Sequence, residues 1–314
     1  MKNDKILVTG STGFLGTNLV KHMESSGYKN IVAVSSKDYD LTEQKEVRKM
    51  FSDIEPNIVI HLAAYVGGIL ANKMYPADFS YRNLVINTST IHEASKHGVK
   101  KFVTCIGGCS YPAKAKSPIA ENSLFEGYPQ NESAPYSLAK AMGFVQANAY
   151  RNQYNLNAIT LVPGNMYGPH DNFHPNYSHV IPGLIRRFYE AKMNDLPEVV
   201  VWGSGTPTRD FVYVEDVAEA IIKATETYDG NELINISSGT ETSIRELVET
   251  ISNLIGYGGK IVWDTTKPDG QMRKIFDTGR MKSLLNFECS TFLKDGLEKT
   301  IRWFENNYPN GIRL

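Results

Sequence analysis

The apolar positions of this chain alternate between two periods. Short, β-branched runs read as strands: KILVT at 5–9, NIVAV at 30–34, NIVIHLA at 57–63, KKFVTCI at 100–106 and NAITLVP at 157–163. Between them the spacing turns helical. Phe14, Leu15, Leu19, Val20 and Met23 set a helix over 14–26, and further helices are expected over 43–53, 82–97 and 136–153, with Pro56 closing the second helical unit. The 57–63 run is apolar almost throughout, as a strand covered on both faces requires. Strands alternating with helices through short links imply right-handed crossovers and a parallel sheet. The expected fold class is therefore α/β, a doubly wound parallel Rossmann-type sheet.

After Pro163 the rhythm changes. Residues 164–180, rich in Gly, Pro, Asn and His, read as a loop, followed by an amphipathic helix over 179–191 and a strand at VVVWG, 199–203. Residues 210–226 read as a strand turning into a helix, and two more helices, 243–255 and 291–306, stand among short strands. No internal repeat or low-complexity segment interrupts this order. The expected organisation is a nucleotide-binding domain over 1–165, with a later contribution near 210–240. A smaller α/β substrate domain would be built mainly from 166–314, with a cleft between the two.

Composition removes several alternatives. The 314 residues carry a formal net charge of −1, with 21% charged and 41% hydrophobic residues, so there is no basic surplus for nucleic acid. No apolar run approaches the roughly 18 residues of a membrane helix. The opening MKNDKILVTG reads as a short strand ending in glycine rather than a signal peptide. Cys105, Cys109 and Cys289 form neither a disulfide framework nor a CxxC pair, so no metal is expected and the cytoplasm is the default compartment.

The chemistry starts at G-S-T-G-F-L-G. Gly10, Gly13 and Gly16 permit a tight turn and close approach of a diphosphate, and Ser11, Thr12, Phe14 and Leu15 bring backbone N–H groups to the start of the first helix. Three glycines alone are a weak signal; their position between the first strand and the first helix gives it weight. At the end of the second strand, an acid would bond the ribose 2′-hydroxyl of NADH. The chain reads Ser35-Ser36-Lys37 there, with Asp38 and Asp40 only later, which favours NADPH unless this is merely a solvated turn. Tyr136 and Lys140 lie four apart on one helix face. The ammonium is expected to lower the phenol pKa and make Tyr136 an acid for a carbonyl receiving hydride. Such a pair is common on helix surfaces, and it gains meaning only downstream of the glycine turn.

With these residues in view the chain resembles the extended short-chain dehydrogenase/reductase family. Within it, the chain is similar to the GDP-L-fucose synthase family, 3,5-epimerase/4-reductases of GDP-4-keto-6-deoxy-mannose. The resemblance lies in VGGILANKMYPADFSYRN (66–83), GCSYPAKAKSPIAE (108–121), PYSLAKAMG (135–143), YGPHDNFHPNYSHVIPGLIRRF (167–188), VVVWGSGTPTRDFVYVEDVA (199–218) and TTKPDGQMRK (265–274). It implies NADP(H), a GDP-linked 4-keto sugar, a homodimer and no nucleic-acid or membrane partner. It makes Tyr136 the proton donor, Lys140 its partner, and Cys109 with His179 the epimerisation pair. The C4 ketone acidifies the protons at C3 and C5, so a thiolate can remove one and an imidazolium return one. Beyond the glycine turn, the resemblance implies cofactor contacts from Ser36, Lys37, Asp40, Leu41, Ile106, Gly107, Lys140, Pro163, Asn165, Met166 and His179. It implies nucleotide-sugar contacts from Arg187, Trp202, Arg209 and Asp269, the arginines suiting a diphosphate. On residue type alone, Cys109 is a small hydrophobe, His179 a helix-start residue, Trp202 equally a core residue and Asp269 equally part of a Pro-Asp-Gly turn.

One departure stands out. The family places Ser or Thr two residues before the reactive cysteine; here Gly107 and Gly108 precede Cys109. Loss of one oxyanion donor costs roughly 100- to 1,000-fold in rate unless water or Ser110 replaces it. The glycine equally makes room for another sugar, such as a heptose. A 4-reductase without epimerase activity, a reductase of a different GDP-4-keto sugar, and a non-catalytic NADP-binding regulator therefore stay as alternatives. A regulator has no need of Tyr136, Lys140, Cys109 and His179 together. A 4,6-dehydratase wants an acidic pair where residues 107–111 read G-G-C-S-Y.

Overall fold

The computed structural model describes residues 1–313. It opens with β1 (Ile6–Thr9), α1 (Phe14–Ser25), β2 (Ile31–Val34), α2 (Gln44–Ile54) and β3 (Ile58–His61). Next come α3 (Ile69–Met74), α4 (Pro76–Lys96), β4 (Lys101–Cys105), α5 (Ala134–Tyr154) and β5 (Ala158–Pro163). The rest contains β6 (Asn165–Tyr167), α6 (Val180–Met193), β7 (Glu198–Trp202), β8 (Thr208–Tyr213), α7 (Val214–Thr227) and β9 (Ile234–Ile236). It ends with β10 (Glu241–Ser243), α8 (Ile244–Ile255), β11 (Lys260–Asp264), β12 (Arg273–Lys274), α9 (Gly279–Leu285) and α10 (Leu293–Asn307).

Six strands form one parallel sheet in the order β2-β1-β3-β4-β5-β9. Side chains alternate across it as a pleat demands. Ile6 and Val8 pack with Leu19 and Met23 of α1 and Val217 and Ile221 of α7 on one face. Leu7, Val59 and Phe102 pack with Val47 and Phe51 of α2, Ile91 of α4 and Ala147 of α5 on the other. This is the doubly wound sheet that the alternation of periods implies.

The second unit is built around β8, which pairs antiparallel with β10 and parallel with β6 and β12; β7 and β11 form a separate parallel pair. Phe188 of α6, Leu247 and Ile251 of α8 and Phe304 of α10 close its core. The buried Asp210 ties it to the main sheet. Its carboxylate accepts hydrogen bonds from Ser238 N (3.1 Å), Ser238 Oγ (2.6 Å) and Gly239 N (3.1 Å), just beyond β9.

Four elements depart from the expected pattern. Residues 165–167 are strand, not loop: β6 is three residues between Gly164 and Gly168, too short to show a period, and exists because β8 offers a ladder. The helix expected from 82 begins at Pro76, where a proline costs nothing because the first-turn N–H has no intrahelical partner, and Phe79 one turn in is buried. α3 and α9 are six- and seven-residue helices that carry no readable repeat.

Candidate active site

Because β1, β2, β4 and β5 run parallel, their C-terminal ends meet at one edge, and strand order reverses between β2 and β3 across β1. A ligand crevice belongs at such a switch point. Gly10 leaves β1 in the left-handed region (φ +70°), where a Cβ would lie 2.7 Å from Ala63 N. A Cβ on Gly16 would collide with Gly10 O. Ser11 is buried, with its N and Oγ both donating to Val34 O (3.1 and 3.0 Å), which fastens the turn to β2. Gly13 caps α1 without a side-chain acceptor, no acid occupies the first turn, and Thr12 is exposed beside it. The leading N–H groups of Phe14 and Leu15 are therefore free to meet an anion, and these residues fit a dinucleotide diphosphate.

The tip of β2 corrects one expectation. Asp38, four residues beyond the strand end, folds back so that Ser35 N and Ser35 Oγ both donate to its Oδ2 (2.8 Å each). These bonds hold its carboxyl below the usual range. The tip thus carries an acid that linear order concealed, with Ser36 and Lys37 exposed next to it. Asp40 accepts from Thr42 N and Oγ1 (2.9 and 2.7 Å), a turn that buries the intervening Leu41.

At the reaction centre, α5 sets Tyr136 and Lys140 one turn apart, Lys140 buried and Tyr136 half-buried edge-on to Phe79 (5.9 Å between ring centres). Burial raises the phenol pKa first, with the charge of Cys109 adding to it. Burial also lowers the ammonium pKa of Lys140, against the opposing pull of Cys105 and Cys109. The expected lowering of Tyr136 by Lys140 is therefore not what the site produces: burial and Cys109 raise the phenol, and the Lys140 ammonium is not among the charges that act on it. The phenol keeps its proton at neutral pH, the form a proton donor needs.

β4 ends in Cys105, buried Ile106 and Gly107, after which a 3₁₀ turn carries Gly108–Ser110. A Cβ on Gly107 would lie 3.1 Å from Cys109 Sγ and 3.9 Å from Tyr136 Cε1, so residue 107 stands between thiol and phenol. Gly108 tolerates no side chain, with Phe276 Cζ 2.5 Å from its would-be Cβ. Ser110 Oγ is buried and donates to Ser137 O (2.9 Å), so it does not replace a donor at 107.

Beyond β5, Pro163 is buried and Asn165 Nδ2 donates to Asp210 O (2.9 Å), holding β6 and Met166 against β8. His179 caps α6 with an extended backbone and is exposed. Protein crowding around the ring still lowers its pKa.

Arg187 Nη1 donates to Val200 O (2.9 Å) and Arg209 Nη1 to Thr208 O (2.7 Å), leaving the remaining guanidinium donors of each for a ligand. Trp202 is 64% exposed, with Lys267 Nζ 5.7 Å from its ring centre, which rules out the core reading. Asp269 accepts from Ser204 N (2.6 Å) and Ser204 Oγ (2.9 Å), clamping the loop at Gly203 (φ +84°). Lys274 was not singled out from the sequence. On β12, Arg273 turns outward to Glu241 (2.8 Å), so Lys274 faces the opposite side, where it lines a recess with Cys109, Tyr111, Gln130 and Gln271. Its pKa is lowered by burial, raised by Cys109 and lowered by Arg209, so this ammonium lies within electrostatic reach of both the thiol and the arginine. The signal available was its place at the end of the TTKPDGQMRK stretch. Among the described residues no cluster of side chains could hold a metal ion, and no helix is long and apolar enough to cross a membrane.

A parallel sheet with a glycine-rich first turn and a tyrosine–lysine pair at the same edge defines a dinucleotide-dependent enzyme class. The chain belongs to the NAD dependent epimerase/dehydratase family, which it matches over residues 6–237, from β1 to just past β9. Within that class it is similar to GDP-L-fucose synthase 1 of Arabidopsis thaliana, at 44% identity over 309 residues, 98% of this chain and 95% of the relative. Among solved structures, a GDP-L-fucose synthetase from Naegleria fowleri bound to NADP superposes with a TM-score of 0.93 at 31% identity, covering 100% of this chain and 97% of that one. A GDP-6-OMe-4-keto-L-xylo-heptose reductase from C. jejuni superposes with a TM-score of 0.91, also at 31% identity, over 98% of this chain and 99% of that one.

Proposed function

We propose that the chain catalyses NADPH-dependent 3,5-epimerisation and 4-reduction of GDP-4-keto-6-deoxy-mannose to GDP-L-fucose. The observation that supports this best is the proximity of Cys109 and Tyr136 across Gly107, in a chain so similar to GDP-L-fucose synthases. Residues 1–165 with the 210–240 stretch hold the cofactor, and 166–314 mainly hold the nucleotide sugar. Bound NADPH supplies hydride to C4. Protonated Tyr136 gives its proton to the C4 oxygen, and Lys140 holds the nicotinamide ribose. Cys109 and His179 move protons at C3 and C5, which the C4 ketone acidifies. Arg187 and Arg209 hold the diphosphate with forked donors, Trp202 lines the same pocket, and Asp269 holds its loop.

The proposed assembly is a homodimer. Leu138, Met142 and Val145 form an exposed apolar stripe along α5, with Tyr81 exposed on the neighbouring α4, and a second copy offers the same stripe in return. The proposed setting is the cytoplasm: three free cysteines, one assigned to proton transfer, suit a reducing compartment.

Gly107 favours a second reading, a reductase of a different GDP-4-keto sugar such as a heptose, since the hydroxyl that the family places there is missing. NADPH oxidation with each sugar nucleotide separates the two. The kcat/KM for GDP-4-keto-6-deoxy-mannose should exceed that for a GDP-4-keto-heptose by about tenfold or more. The reverse order would transfer the assignment to the heptose.

Cofactor choice is a further expectation. Lys37 beside Asp38 should favour the 2′-phosphate, so NADPH should bind about tenfold tighter than NADH, or ~1.4 kcal/mol. Fluorescence titration giving equal affinities would show that Asp38, not Lys37, governs the ribose.

A further inference from the structure

The segment after α10 crosses from the second unit to the glycine turn. Gly311 N donates to Asn307 O (2.6 Å), Ile312 packs against the second core, and Arg313 O accepts from Phe173 N (2.9 Å), so the backbone here is anchored to the loop ahead of α6. The Arg313 side chain extends the other way. Its Nη1 lies 4.0 Å from the position a Cβ on Gly13 would occupy. That position lies beside the N-terminus of α1, which Gly13 caps. The turn itself supplies no cation, since only Ser, Thr, Phe and Leu stand between its glycines.

Asp171 is the second observation. Only 2% exposed, it accepts from Asn172 N through Oδ1 (2.7 Å), while Oδ2 has no hydrogen-bond partner among the described residues. Burial pushes its carboxyl up to about 7, and the nearby charge of Arg313 draws it back down. Asn172, the next residue, pairs with Arg313, so the carboxylate lies near the guanidinium without a direct ion pair that would occupy the donor fork.

We propose that Arg313 is a cofactor-binding residue, its guanidinium contacting the dinucleotide diphosphate at the start of α1 and oriented by Asp171. The proposal rests on the dinucleotide reading of the glycine turn. A guanidinium presents paired donors that match phosphate oxygens, and the contact joins the substrate unit to the bound cofactor.

The test titrates NADPH and NADH against wild type, Arg313→Ala and Arg313→Lys, with the melting temperature of each free protein alongside. Arg313→Ala should weaken both nucleotides by about tenfold. The NADPH-to-NADH ratio should hold, because the 2′-phosphate lies at the β2 tip, and Arg313→Lys should recover part of the loss. If Arg313→Ala lowers the melting temperature of the free protein, Arg313→Gln, which keeps the stem, carries the same expectations. Unchanged affinity for both nucleotides, or a loss confined to NADPH, would overturn the proposal. Failure of wild type to bind either nucleotide would instead overturn the dinucleotide reading beneath it.

Discussion

Tyr136→Phe should lower kcat for NADPH oxidation by about 100- to 10,000-fold, the range a positioned general acid contributes. The ring stays edge-on to Phe79, and only the hydroxyl is removed. Because burial keeps the phenol protonated, its loss strikes the proton-transfer step rather than the fold or the cofactor. NADPH affinity should stay within about twofold of wild type, since no ligand contact beyond the hydroxyl is deleted. Single-turnover kinetics with saturating nucleotide make the comparison, and a wild-type kcat in Tyr136→Phe would remove Tyr136 from the chemistry. Lys140→Ala should reduce both turnover and nucleotide affinity if its buried ammonium holds the ribose as proposed.

The second large effect concerns the epimerisation pair. With NADPH omitted, wild type should exchange the C3 and C5 protons of GDP-4-keto-6-deoxy-mannose with solvent. Cys109→Ala and His179→Asn should each slow that exchange by about 100-fold or more. Tyr136→Phe should retain most of it, since the phenol is not the group that moves those protons. The double dissociation separates the two half-reactions within one cleft. Exchange at wild-type rate in Cys109→Ala would assign the proton transfer to another group, and the half-buried Lys274, which lines the same recess as Cys109, is the group the site offers for it.

Much of the fold was legible because five strands of the main sheet are short, largely apolar runs between helical periods. β6 was not, because three residues carry no period and its pairing depends on β8, distant in the chain. The candidate pair was legible as Tyr136 and Lys140, one turn apart on a helix whose spacing is visible. Their electrostatics were not: a sequence shows that an ammonium follows a phenol, but not that both are desolvated, and desolvation decides the direction of both shifts. Asp38 illustrates the same limit at short range, since a three-residue turn returns a carboxylate to the strand tip. Lys274 and Arg313 show it at long range, one brought to Cys109 by the pleat of a two-residue strand, the other to Gly13 by a tail anchored on Phe173. Gly107 was visible from the outset, and the structure sharpens its meaning: Ser110 is committed to Ser137 O and does not stand in for a missing hydroxyl.

The account is tested most directly by one reaction in D₂O, with GDP-4-keto-6-deoxy-mannose and NADPH, followed by NMR of the product. The expected product is GDP-L-fucose carrying deuterium at C3 and C5 and protium at C4, the isotopes that Cys109 with His179 and the NADPH hydride would deliver. A reduced sugar that keeps the manno configuration, with protium at C3 and C5, would contradict the account and leave a plain 4-reductase.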